Sequence, residues 1–188
     1  MTKKILMRLA LLVLMIIWTP IVNAGYLAAG GSSGGEGGQP GISVETGEFD
    51  IDVGDLEILL ALGFPIIPYG DTQLPDDTIG SKCPNDDCRV KGTEYKGTEM
   101  GGFVKIGVRI FREGCYLNAI GGITTVTESD IVYSPATDRY YEEAKESVSK
   151  GLYGIGLSLF SEVFDWQLMF SVDYDNRRGV TGLVGIYW

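Results

Sequence analysis

The sequence contains no histidine. A Ser-His-Asp triad cannot be assembled, which excludes hydrolases and acyltransferases that work through a histidine base. Only three cysteines are present, and without histidine they do not complete a zinc ligand set of the usual kind. Cations are scarce: Lys and Arg number 15 against 25 Asp and Glu, a net charge of −10. Phosphate contacts need clustered Lys or Arg, so nucleic acid is not an expected partner. Beyond residue 24 no apolar run approaches the ~20 residues of a membrane-spanning helix. The run Gly30–Gly38 lacks the Lys-Ser/Thr ending of a phosphate-binding loop. Asp76-Asp77 and Asp86-Asp87 do not have the spacing of a calcium-binding loop. These absences leave no catalytic, cofactor-binding or metal-binding residue to assign, and the expectation is a protein that is not an enzyme and carries no cofactor.

The N-terminus supplies the first positive signal. Lys3, Lys4 and Arg8 precede an apolar run from Leu9 to Trp18, Pro20 breaks it, and Val22-Asn23-Ala24 offers small residues to a signal peptidase. Residues 1–24 therefore read as a cleaved signal peptide, and 25–188 as one mature domain. No cysteine follows the apolar run closely, which argues against a lipoprotein. Export places Cys83 and Cys88, which bracket Pro84-Asn85-Asp86-Asp87, where a disulfide closing a small loop is the simplest expectation; Cys115 has no evident partner.

Glycine is abundant, with 27 residues, and argues against long helices. What replaces them is a period of two. Trp166, Leu168, Phe170, Val172 and Tyr174 share one face, with Gln167, Met169, Ser171 and Asp173 on the other. Tyr153, Ile155, Leu157 and Leu159 alternate with Gly154, Gly156 and Ser158. Val180, Gly182, Val184, Ile186 and Trp188 alternate with Thr181, Leu183, Gly185 and Tyr187. Val104, Ile106, Val108 and Ile110 oppose Lys105, Gly107 and Arg109, and Leu56 to Ile66 repeats the pattern less purely around Glu57. Such alternation means strands with one apolar face. Further strands are expected at 115–127, at 41–53 with a bulge near Gly47, and at 26–30, before a Gly/Ser-rich stretch that reads as either loop or tail.

Connection lengths alternate as well. The turns near 54, 112–114 and 161–165 are short, whereas 69–97 and 128–149 are long and polar, the latter with a candidate helical turn at Tyr140–Ser149. Short turns at one end and long loops at the other are the habit of outer-membrane barrels, and an even count of eight strands puts both termini on the short-turn side. The fold class expected is all-β: a closed antiparallel transmembrane β-barrel of eight strands with long external loops. In lipid the sheet must close on itself, with bulky residues outward and small or polar ones inward. Lys105, Arg109, Asp173 and Glu57 are then lumen charges, with Lys105 and Arg109 pairing with acids such as Asp173, while Tyr153, Trp166, Tyr174 and Trp188 are candidates for interfacial girdles. A soluble barrel of the lipocalin kind would show the same alternation turned inside out.

The final residues, Val184-Gly185-Ile186-Tyr187-Trp188, resemble the C-terminal insertion signal of outer-membrane barrels, with Val184, Ile186 and Trp188 carrying it. The stretch Gly151–Trp188, with its hairpin Val172-Asp173-Tyr174-Asp175-Asn176-Arg177-Arg178-Gly179, is similar to the closing strands of the opacity-protein and OmpA-like small barrel superfamily. That resemblance implies a location in the outer membrane of a Gram-negative cell, with lipid and lipopolysaccharide as surroundings and the barrel assembly machinery as a partner during insertion. The functional expectation is a structural or surface-interaction barrel acting through its external loops. The alternatives are a narrow channel for small solutes and a soluble periplasmic binding protein.

Overall fold

The computed structural model describes residues 25–35, 39–69, 79, 82–84, 87–111 and 114–188, with the side chains of 144–146 excepted. The expected signal peptide, Asp76, Asp77 and Asp86, and the Arg112-Glu113 part of one turn lie outside the described residues. Every regular element described is a strand: β1 Gly25–Ser32, β2 Gly41–Val53, β3 Leu56–Tyr69, β4 Arg89–Phe111, β5 Cys115–Ser134, β6 Arg139–Val163, β7 Trp166–Asp175 and β8 Gly179–Tyr187. They pair antiparallel in chain order and β8 closes on β1, an eight-stranded barrel with no free edge around its wall. Following paired residues once round, from Tyr26 through Gly47, Ala61, Lys105, Ile120, Gly154 and Asp175 to Gly179, ends beside Gly34 rather than Tyr26. The ladder is thus staggered and the strands tilt, as closure requires.

One end of the barrel holds the β2–β3 and β6–β7 turns, the paired Phe111 and Cys115 at the ends of β4 and β5, and the start of β1 and end of β8, where the Trp188 amide donates to the Gly25 carbonyl at 3.1 Å. At the β6–β7 turn both Phe164 and Asp165 have positive φ (51° and 66°), the twist a two-residue hairpin needs. The opposite end differs from expectation. Residues 128–149 are not a loop: β5 and β6 continue to a turn at Pro135–Asp138, and Tyr140–Ser149 is strand rather than a helical turn. Likewise 89–97 belongs to β4. The polar composition of these segments hid strands that leave the barrel and stay paired as a three-stranded extension, with Arg89↔Tyr133 and Tyr133↔Tyr140 in register. The β2 bulge expected near Gly47 is there, at Phe49-Asp50, where the register shifts and Asp50 has φ 58°.

The faces separate cleanly. Leu157, Val172 and Val184 are 49, 62 and 57% exposed on the outside, whereas Asp173, between Val172 and Tyr174, is 1% exposed inside. Side-chain alternation along a strand produces this directly.

Candidate functional site

The lumen is filled in layers. At the tight-turn end Tyr26, Leu59, Tyr116, Phe160, Met169 and Leu183 form a buried apolar cluster. The β2 bulge turns Phe49 into the mouth, where its ring stacks on Phe160 with centroids 4.1 Å apart. Asp50, next in the bulge, accepts hydrogen bonds from the Arg109 guanidinium and the Tyr116 hydroxyl, and Arg109 also pairs with Glu57. Arg109 thus lies at the rim with Asp50 and Glu57 as partners, not in the centre with Asp173 as the sequence led us to expect. A residue four positions from Lys105 sits about 13 Å along the strand, too far to share its acids.

The centre is ionic. Lys105 Nζ lies 2.6 Å from Glu45 and 2.9 Å from Asp173, and donates to Ser171 at 3.2 Å. Arg178 donates from Nε to Asp175 at 2.5 Å and approaches Asp173 at 3.6 Å, its guanidinium over the Phe103 ring. The Tyr26 hydroxyl donates to Glu45 at 2.5 Å, and a polar chain runs from Asn118 to Ser158 to Ser171. Gly156 makes room for this layer, since a Cβ there would stand 2.1 Å from the Asp173 carboxylate. Toward the other end Arg177 grips Glu99 with two hydrogen bonds of 2.8 and 2.5 Å, and the Tyr69 hydroxyl donates to the same carboxylate at 2.7 Å.

All of these charges are buried, and each has an ion-pair partner. Taking ions out of water costs several kcal/mol apiece, which close pairing and extra hydrogen bonds offset only when the geometry is good. Chemically the arrangement fixes strands to one another: Lys105 on β4 joins β2 to β7, and Arg177 after β7 reaches β4. Ser171 at its centre donates to Asp173 at 3.0 Å, which ties the hydroxyl into the same network, and the described residues contain no group of three or more His, Cys, Asp or Glu side chains placed to hold a metal ion.

Of the sequence candidates, Lys105 and Asp173 are brought together, Arg109 is placed apart, and Val184, Ile186 and Trp188 lie along the outer wall at 57, 50 and 42% exposure. Cys83 and Cys88 are disulfide-bonded. Sequence reading missed Glu45, Glu99, Asp175, Arg177 and Arg178. Asp175 shares parity with Asp173 and Glu45 alternates with Val44, so both were discoverable; Arg177 and Arg178 look like solvated turn residues and instead fold back into the lumen.

The extension is the other candidate. Ile79 pairs with it from the β3–β4 connection, its amide donating to the Tyr140 carbonyl at 2.8 Å while its own carbonyl accepts from Glu142 at 2.9 Å. The Cys83 amide donates to Glu143 at 3.1 Å, so the disulfide loop is strapped to β6. Lys96 on β4 pairs with Glu142 on β6 at 2.6 Å. No family model and no curated protein matches the chain.

Proposed function

We propose that the chain is an exported outer-membrane barrel of the Gram-negative type, its leader removed after Ala24, with a non-catalytic structural and surface-interaction role carried by the β4–β6 extension and its disulfide loop. One observation carries the reading: the barrel wears its apolar face outside and keeps its ions within. A water-soluble barrel requires the reverse, and monomeric soluble proteins rarely expose apolar patches larger than a few hundred Å². The 10 residues of β7 and 9 of β8 match the ~9–11 tilted residues needed to cross a bilayer. Trp166, Tyr174 and Trp188, exposed at strand ends, fit interfacial anchoring, and the alternating terminus Val184, Ile186 and Trp188 fits recognition by the assembly machinery. Lipid surrounds the wall in this reading, and lipopolysaccharide lies nearest the extension. A filled, paired lumen favours a scaffold over a channel.

Membrane fractionation combined with heat-modifiable gel migration tests the proposal. The expected result is recovery in the outer-membrane fraction and faster migration before boiling. Recovery in the soluble periplasmic fraction without detergent would overturn it. Planar-bilayer recordings are expected to show no reproducible single-channel steps.

A further inference from the structure

The wall is not uniformly zipped. Between β3 and β4 the pairing holds from Ile58↔Val108 to Gly63↔Phe103, lapses, and resumes in the same register at Ile66↔Met100. Pro65 sits in the lapse and has no amide to donate. On the outside, the lapse coincides with a groove of about 450 Å³ lined by Leu62, Phe64, Val104 and Ile123, with Gly102 and Gly121 in its floor. No charged or hydroxylated side chain lines it. Behind it, Phe103, Ile120 and Leu152 form a buried apolar cluster, and the Phe103 ring fills the place where a Gly63 Cβ would stand. Past the groove the outer wall changes character: Met100 is paired with Thr125, which is paired with Ser149, and Thr98, Thr125 and Ser149 are exposed hydroxyls.

We infer that this groove holds one hydrocarbon chain of a bilayer lipid, lying along the β3–β4 seam with its polar end toward Thr98, Thr125 and Ser149. The inference rests on the membrane reading above. Three features select the occupant. Lining side chains made only of carbon offer a peptide or sugar no side-chain partner for the polar groups that would lose water there. The groove is continuous with the apolar outer band, so its occupant comes from the same medium. The hydroxyl row gives the chain a direction, since hydroxyls can donate to a headgroup phosphate or ester.

The test uses the purified barrel reconstituted with phosphatidylcholine, then washed with detergent until loosely held lipid is gone, and native mass spectrometry to read what stays bound. Wild type is expected to retain one phosphatidylcholine. Gly121→Leu fills the groove, and a Cβ there meets no heavy atom within 4 Å, so the variant barrel is expected to fold and insert as wild type does. It is expected to lower retention about tenfold, equivalent to ~1.4 kcal/mol. Gly182→Leu on β8, equally open, is expected to leave retention unaltered. Retention equal in Gly121→Leu and wild type, lost equally in both variants, or absent from an inserted wild-type barrel overturns the inference. Failure of wild type to enter the vesicles at all overturns the membrane reading instead.

Discussion

The barrel has a short arc and a long arc. Strands β7, β8 and β1, of 10, 9 and 8 residues, stop where their apolar outer faces stop. Strands β4, β5 and β6, of 23, 20 and 25 residues, run on past that level. Within the wall both arcs keep an apolar outer face and hold their buried charges inside, beside the apolar lumen clusters. Above it the long arc keeps its backbone pairing but loses the apolar outer face, as Ile123 gives way to Thr125 and Gly151 to Ser149. In the proposed membrane setting, two separable forces hold one continuous sheet: burial of the outer face in lipid for the wall, and strand pairing with side-chain ties for the extension.

The largest expected effect joins the arcs. Lys105 on the long arc neutralises Asp173 on the short one and Glu45 on β2. Lys105→Met leaves two buried carboxylates facing each other and is expected to destabilise the barrel by about 3–5 kcal/mol in urea unfolding from vesicles. The triple variant with Glu45→Gln and Asp173→Asn is expected to recover most of that loss. A single variant as stable as wild type would mean the centre is wet enough to solvate the acids. The next effect separates wall from extension. Val172→Arg places a cation on the outer face of the short arc and, if the proposed membrane setting holds, is expected to cost about 2–4 kcal/mol in the bilayer. Ser147→Arg, on the exposed face of the extension, is expected to stay within about 0.5 kcal/mol. Equal costs at the two sites would erase the distinction.

The same division decides what could be read from sequence. In β7 and β8 the outward positions are mostly large and apolar, so Trp166 to Tyr174 and Val180 to Trp188 read as strands at once, whereas glycine-rich β1 read only as a short strand at 26–30. In the extension that constraint is gone. Residues 128–134 and 139–149 are kept as strands by pairing with each other and with β4, and pairing is blind to side-chain type. Acids and lysines there read as loop. The lumen was half legible for a related reason. Lys105 and Asp173 interrupt clean alternations and stand out, whereas Arg177 and Arg178 sit in the β7–β8 turn, where Asp175 accepts from both of their backbone amides, at 3.0 and 2.7 Å, and their side chains reach inward to Glu99 and Asp175.

A smaller effect belongs to the extension alone. The Cys83–Cys88 bond closes a short loop tied to β6 through the Cys83 amide and Glu143. The double variant Cys83→Ser/Cys88→Ser is expected to loosen that strap by up to ~2 kcal/mol, read as faster proteolysis of the β3–β4 connection. The urea midpoint of the wall is expected to hold. A matching fall in that midpoint would make wall and extension one cooperative unit.

The smallest effect is a titration. The hydrogen bond from Lys96 holds the Glu142 carboxyl below its ordinary value. A carboxylate whose folded pKa is depressed adds stability above its unfolded pKa and loses it as pH falls through the lower, folded value. The contribution is therefore complete at neutral pH and disappears in acid, below the usual glutamate range. Because the pair is partly solvated, its size is a few tenths of a kcal/mol. Hydrogen exchange at amides of 129–133 and 140–143 is expected to quicken slightly as the medium is acidified through that window, beyond the intrinsic pH dependence of exchange. Lys96→Met is expected to abolish the excess, while amides of β7 and β8 show none in either protein. An excess of equal size in β7 would mean the titration is felt through the wall, and the two arcs would then be coupled more tightly than their faces imply.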